Sequence, residues 1–143
     1  MMERRRFLER LSRIMPADLL NQPTKLRAWL HERQNLQPLF SEGLFIADAG
    51  GAIIADYPAM PGRIGLSLAI YPDFHLVREG RFVIGEPLIS AASQQTILPM
   101  MAPVRDATGR FVAVLGGTTA LSARGFLDHL QQARLGASGR FLL

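Results

Sequence analysis

The residues that could do chemistry here are few and scattered. His31, His75 and His129 sit on separate stretches with helical patterning, and none has a His-x-x-His or Glu-x-x-His partner, so the spacing of a metal or haem ligand set is missing. Ser90 and Ser93 lack the glycines of a nucleophile elbow. There is no cysteine, which removes disulfides, thiolate-zinc sites and cysteine nucleophiles. The sequence therefore points to no enzyme, no metal and no cofactor. What remains is recognition chemistry, carried by side chains that join an apolar body to a polar tip. Tyr71, Phe74, His75 and Arg78 cluster around one short helical stretch, Ile84 and Glu86 belong to the next apolar run, and Met101 and Leu115 to the two after it. Together they are the expected wall of a small-molecule pocket. Phe74, Met101 and Leu115 suit plain core packing equally well. Tyr71 and His75 fit a satisfied core or a pocket rim, and Glu86 also fits a solvated strand end.

The elements that must position these residues are legible from periodicity. Phe7, Leu8, Leu11, Ile14 and Met15 recur at helical spacing among charged residues, which predicts an amphipathic helix over about 3–15, ended by Pro16. Residues 16–20 could restart it for one or two turns. Pro23 opens a second segment in which Leu26, Trp29, Leu30 and Leu36 or the Arg33 stem share a face. The apolar stripes of this arm could pack on the sheet or against a second copy of the chain in a two-fold dimer.

Two hairpins follow the same plan. Leu44-Phe45-Ile46-Ala47 and Ala52-Ile53-Ile54-Ala55 flank Asp48-Ala49-Gly50-Gly51; residues 97–104 and Phe111-Val112-Ala113-Val114-Leu115 flank a loop containing Asp106-Ala107-Thr108-Gly109. Apolar runs around a short Asp- and Gly-bearing loop read as β-hairpins, with the Asp oxygen bonding the turn backbone and Gly109 in the left-handed region. Prolines and glycines over 57–65 mark a loop, a short helix is predicted over 72–79 with Phe74 and Val77 on one side, and Arg81-Phe82-Val83-Ile84-Gly85 is the third strand. Residues 88–95 read as a connection. Gly116-Gly117-Thr118-Thr119 lacks the Gly-Lys-Ser/Thr of a phosphate cradle, and a strand bulge explains its two glycines. Ser122 is a fair N-cap for a last helix with Phe126, Leu127, Leu130 and Ala133 buried and Gly136 as its stop.

The fold class is thus α+β, of the PAS type: a five-stranded antiparallel sheet with a long N-terminal helix, a short helical excursion between strands two and three, and a C-terminal helix. The expected organisation is a helical arm over 1–40, a sensor-like domain over 41–135, and over 136–143 the start of a junction to a following segment, since Arg140-Phe141-Leu142-Leu143 stops inside what reads as a new strand.

Composition agrees with a globular domain: 143 residues, 48% hydrophobic and 20% charged. No run approaches the roughly 18–20 apolar residues of a membrane span, and Met1-Met2-Glu3-Arg4-Arg5-Arg6 lacks the apolar core of a signal peptide. The formal charge of +4 is modest, and no basic stripe interleaved with aromatics suggests nucleic acid. The Arg4–Arg6 triplet is a solvated helix face or a contact with anionic head groups.

The run Phe45 to Pro58, then Gly65, Phe74 and Gly80, then Val83-Ile84-Gly85-Glu86-Pro87, then the hairpin Pro103-Val104-Arg105-Asp106-Ala107-Thr108-Gly109 and Val114-Leu115-Gly116-Gly117, resembles the Cache family of extracytoplasmic sensor domains, and more narrowly the membrane-distal half of a double Cache domain. The resemblance runs from about Pro16 to the C-terminus. It implies a small-molecule sensor, the periplasmic or extracellular domain of a membrane-anchored inner-membrane protein, often a homodimer through its first helix. Ligand binding under the excursion would shift the helices and regulate an output domain outside this sequence: a GGDEF diguanylate cyclase first, otherwise a histidine kinase or chemoreceptor. Relatives carry an Arg-x-Tyr-Phe element where this chain has Tyr71-Pro72-Asp73-Phe74, keeping only the Phe, and the Arg and Trp pair of the amino-acid-binding subgroup is missing. The resemblance therefore brings no carboxylate-gripping arginine to this chain. The competing expectation is a dimerisation or partner-binding module of the same fold, with the pocket filled by Met100, Met101 and Phe74. An intracellular PAS-type cofactor binder is a third, opposed by the missing flavin-reactive cysteine and haem ligand.

Overall fold

The computed structural model describes residues 2–36, 39–90 and 94–121. The helix expected after Ser122, with Phe126, Leu127, Leu130, Ala133 and His129, lies outside the described residues, as do the 136–143 junction and Ser93.

The N-terminal arm forms α1 (Met2–Ile14), a single 3-10 turn (Ala17–Asn21) and α2 (Pro23–Leu36). Phe7, Leu8, Leu11 and Met15 are buried, and so are Leu26, Trp29 and Leu30. Their stripes pack on the sheet, in one core with Leu44, Ile46, Met100 and Leu115. Leu36 is a correction: it is 78% exposed, at the last turn of α2 and off the buried stripe.

The sheet has six antiparallel strands rather than five: β1 (Leu44–Asp48), β2 (Ile53–Tyr57), β3 (Val83–Ile84), β4 (Leu88–Ile89), β5 (Thr96–Arg105) and β6 (Phe111–Ala120). The order is β2-β1-β6-β5-β3, with β4 also on β5. The added strand is β4, whose two residues are too few to show a period and fall in the expected connection 88–95. Pro99 sits inside β5 at little cost. Its carbonyl accepts from the Gly85 N–H at 2.8 Å, and a residue's N–H points to the same side as its C=O, so the missing donor faces the interrupted β3–β4 edge and not β6.

Both turns match their expected chemistry. Asp48 Oδ1 accepts from the N–H groups of Gly50 and Ala52, and Asp106 Oδ1 from those of Thr108 and Arg110. Gly109 has φ +87°. The bulge expected at Gly116-Gly117 is a correction. Register shifts fall instead at Ile46/Ala47 and Val104/Arg105. The two glycines make room for aromatic rings: a Cβ at Gly116 would lie 2.1 Å from Cζ of Phe45, and one at Gly117 would lie 2.6 Å from Cδ1 of Phe40. Those rings cover opposite faces of the sheet.

The second face carries a smaller core, with Phe45, Ile53, Phe74, Val77, Val83, Met101 and Val114. Over it lies the excursion between β2 and β3, made of a loop, a 3-10 turn (Leu68–Ile70) and α3 (Phe74–Arg78). The Ser67 hydroxyl caps the 3-10 turn by accepting from Ala69 N–H.

Candidate functional site

The excursion does not lie flat on the sheet. It is stitched to the β2 edge by Ile53 N–H to Leu66 O (2.9 Å), Gly65 N–H to Ile53 O (2.9 Å) and Leu68 N–H to Gly51 O (2.7 Å). Beyond that seam Leu68, Phe74 and Val77 pack into the second core, and between the excursion and the sheet lies a cavity of about 430 Å³. One wall is the excursion, from Leu66 through Ile70 and Tyr71 to Asp73; the facing wall is the strip Gly85–Ser90. Phe45, Ile53, Ile97, Pro99 and Met101 form the apolar floor. The residues from β5 alternate, as the two-residue period of a strand requires.

The buried polar end of the cavity is formed by Glu42, Arg63 and Thr118. Arg63 is 6% exposed and is held on every nitrogen. Its Nε donates to Asp56 Oδ2 at 2.7 Å, Nη1 to Glu42 O at 2.8 Å and more weakly to Thr118 Oγ1 at 3.5 Å, and Nη2 to Pro58 O at 2.7 Å. Asp56, 1% exposed, also accepts from the Met60 N–H at 3.0 Å. This buried ion pair ties the Pro- and Gly-rich loop to β2 and to the segment entering β1. The loop leaves Ile64 and Leu66 exposed rather than buried, so directional bonds hold it in place.

The sequence-predicted residues divide by face. Tyr71, Glu86 and Met101 line the cavity. Phe74 is buried in the core beside it, with the Arg78 guanidinium 5.9 Å from its ring centroid, while Arg78 and His75 point outward. The His75 ring bonds to the Pro72 carbonyl. Ile84 and Leu115 are corrections of placement: both pack on the opposite face, against the helices. Ile84 pairs with Met100 and Leu115 with Ala102, so all four share that face. The residues that sequence reasoning missed are Arg63, Asp56, Glu42 and Thr118. One signal was present: an Asp next to the end of an apolar strand, followed by a single Arg in the adjoining Pro-Gly loop. Among the described residues, no three His, Asp or Glu side chains gather as metal ligands.

No protein-family model and no curated protein sequence matches the chain. Solved structures do. The ligand-binding domain of the Pseudomonas fluorescens chemoreceptor CtaA, in complex with L-valine, superposes with TM-score 0.66 at 25% identity, over 92% of this chain and 57% of that one. The ligand-binding domain of the Pseudomonas aeruginosa PAO1 amino acid chemoreceptor PctB, in complex with L-Gln, gives TM-score 0.64 at 20% identity, over 88% and 49%. The E. coli DcuS sensor domain gives 0.62 at 15% identity, over 86% and 89%. The chain spans about half the length of the two chemoreceptor domains. It has the Cache/PAS-like fold of the ligand-binding sensor domains of chemoreceptors and histidine kinases.

Proposed function

We propose that this chain is the extracytoplasmic input domain of a membrane-anchored bacterial signalling protein, and that a small molecule binds between the excursion and the sheet. The observation that carries the reading is the cavity of about 430 Å³, with an apolar floor and a polar buried end, in a fold shared with ligand-binding sensor domains. Its contacts would be Tyr71, Glu86 and Met101, joined by Phe45, Leu68 and Ile97, all of which line the cavity.

Binding would change the grip of the excursion on the β2 edge. Any shift passed to the N-terminal helices and to the segment after β6 is bounded by the ligand's differential affinity for the two states. The output, whether diguanylate cyclase, histidine kinase or chemoreceptor, belongs to the parent protein, with 1–40 as the arm, 41–135 as the sensor and 136–143 as the junction. A homodimer through α1 would use its outward face, where Arg6, Arg10 and Arg13 are exposed, because the apolar stripe is buried on the chain's own sheet. Against the self-filled alternative, Met100 packs in the helix-side core, Phe74 lies in the core beside the cavity, and Met101 forms part of the cavity floor.

The test is thermal melting against amino acids, organic acids, amines and purines. A ligand at a hundred times its Kd stabilises the fold by about 2.7 kcal/mol, a clear rise in Tm. A flat panel over all four classes contradicts the reading.

A further inference from the structure

The charges along the cavity favour one ligand class over another. Among the described residues, Arg63 is the one cation that lines it, against the carboxylates of Glu42, Asp73 and Glu86. A guanidinium has five N–H donors, and grips a carboxylate through two of them on one edge. Arg63 already meets four acceptors: Asp56 Oδ2, Glu42 O, Thr118 Oγ1 and Pro58 O. Its charge is matched by Asp56 at 2.7 Å. A ligand carboxylate could take the two-pronged grip only by dismantling the bonds that hold the loop. Without that grip it would enter an apolar cavity beside acidic groups, and burying an unpaired carboxylate is strongly unfavourable. Glu42 and Asp73 already have partners of their own. Glu86 is exposed at the rim, above the apolar floor, and is the lining carboxylate available to meet a cation.

From this accounting we infer that the cavity takes an organic amine, an ammonium group on an apolar body, with Glu86 as its counter-ion, and discriminates against carboxylates, including zwitterionic amino acids. The inference rests on the sensing reading above and narrows it. It separates this pocket from those of CtaA and PctB, whose structures hold L-valine and L-Gln.

The experiment is calorimetric titration of the 143-residue chain with three probes that share one apolar body: 3-methylbutylamine, L-leucine and 4-methylpentanoate. The expected result is binding of the amine, with leucine and the acid weaker by on the order of tenfold or more, the scale of one lost charge-assisted bond. The exposed variant Glu86→Gln should keep the wild-type Tm and weaken the amine by a similar factor. Leucine or the acid binding as tightly as the amine overturns the ligand class while leaving the sensing reading intact. Unchanged amine affinity in Glu86→Gln overturns the role of Glu86. Silence from all three probes, with a hit among the amino acids, organic acids or purines of the melting panel, also overturns the ligand class alone; silence with a flat panel removes both.

Discussion

Met100 and Met101 are neighbours on β5, yet one is packed in the helix-side core and the other forms part of the floor of a cavity. The same division runs through the sheet, with Leu115 against Val114 and Gly117 under Phe40 against Gly116 under Phe45. On the helix side, two amphipathic helices bring enough apolar surface to close the face. On the other side, the excursion supplies only a 3-10 turn and one short helix, anchored by an edge seam and a buried ion pair. A short cover on a wide apolar face leaves space, and that space is where binding can occur. The helix side is the closed core, and the excursion side holds the space for the proposed ligand.

The largest effect is expected where the cover is anchored. Asp56→Ala leaves the Arg63 charge buried without its partner and should cost about 3–5 kcal/mol by chemical denaturation. Replacing both residues together with apolar side chains of similar volume should recover much of that loss. If the single change is silent, the loop is held by something other than this pair.

A sharper comparison substitutes adjacent glycines. In Gly117→Ala the new methyl would stand 2.6 Å from Cδ1 and Cγ of Phe40, a fully buried ring, and should cost about 1–3 kcal/mol. In Gly116→Ala the clash is with the far end of Phe45, which borders the cavity and can turn into it. That variant should lose less stability and more ligand affinity. Equal losses of stability, with ligand binding untouched by Gly116→Ala, would erase the difference between the faces.

The smallest effect concerns acid. The Thr108 hydroxyl first, then the Arg110 backbone N–H, hold the Asp106 carboxyl below its ordinary 3.8. A carboxyl with a depressed folded pKa contributes stability above its unfolded pKa and loses it as the pH falls through the folded one. Asp106→Asn should therefore melt with a shallower pH dependence than the wild type below the ordinary carboxylate range. Identical profiles would mean that this exposed turn contributes nothing measurable.

The hairpins, the helical arm and the α+β class could be read in advance because each rests on local signals: an Asp-to-Gly turn between apolar runs, or a stripe at helical spacing. The phase of the inner strands could not. Phe111-Val112-Ala113-Val114-Leu115 is apolar throughout, since both faces of the sheet are covered, and a run without alternation does not say which residues point to which side. The unphased runs put Ile84, Met101 and Leu115 on the cavity side alike; of the three, only Met101 lines the cavity. Arg63 was hidden for another reason. Its partners come from β2, from the chain before β1 and from β6, and only the folded chain brings them together.

The most direct test follows the methionine pair. With ¹³C-methyl-labelled methionine, and the Met100 and Met101 signals assigned by single Met→Leu variants, the chain is titrated with 3-methylbutylamine and with the strongest stabiliser from the melting panel. The account predicts that the Met101 methyl shifts in a saturable way while the Met100 methyl, on the packed face, stays in place. Saturable movement of Met100 with Met101 unmoved, or a ligand that binds and moves neither, would contradict a binding site between the excursion and the sheet.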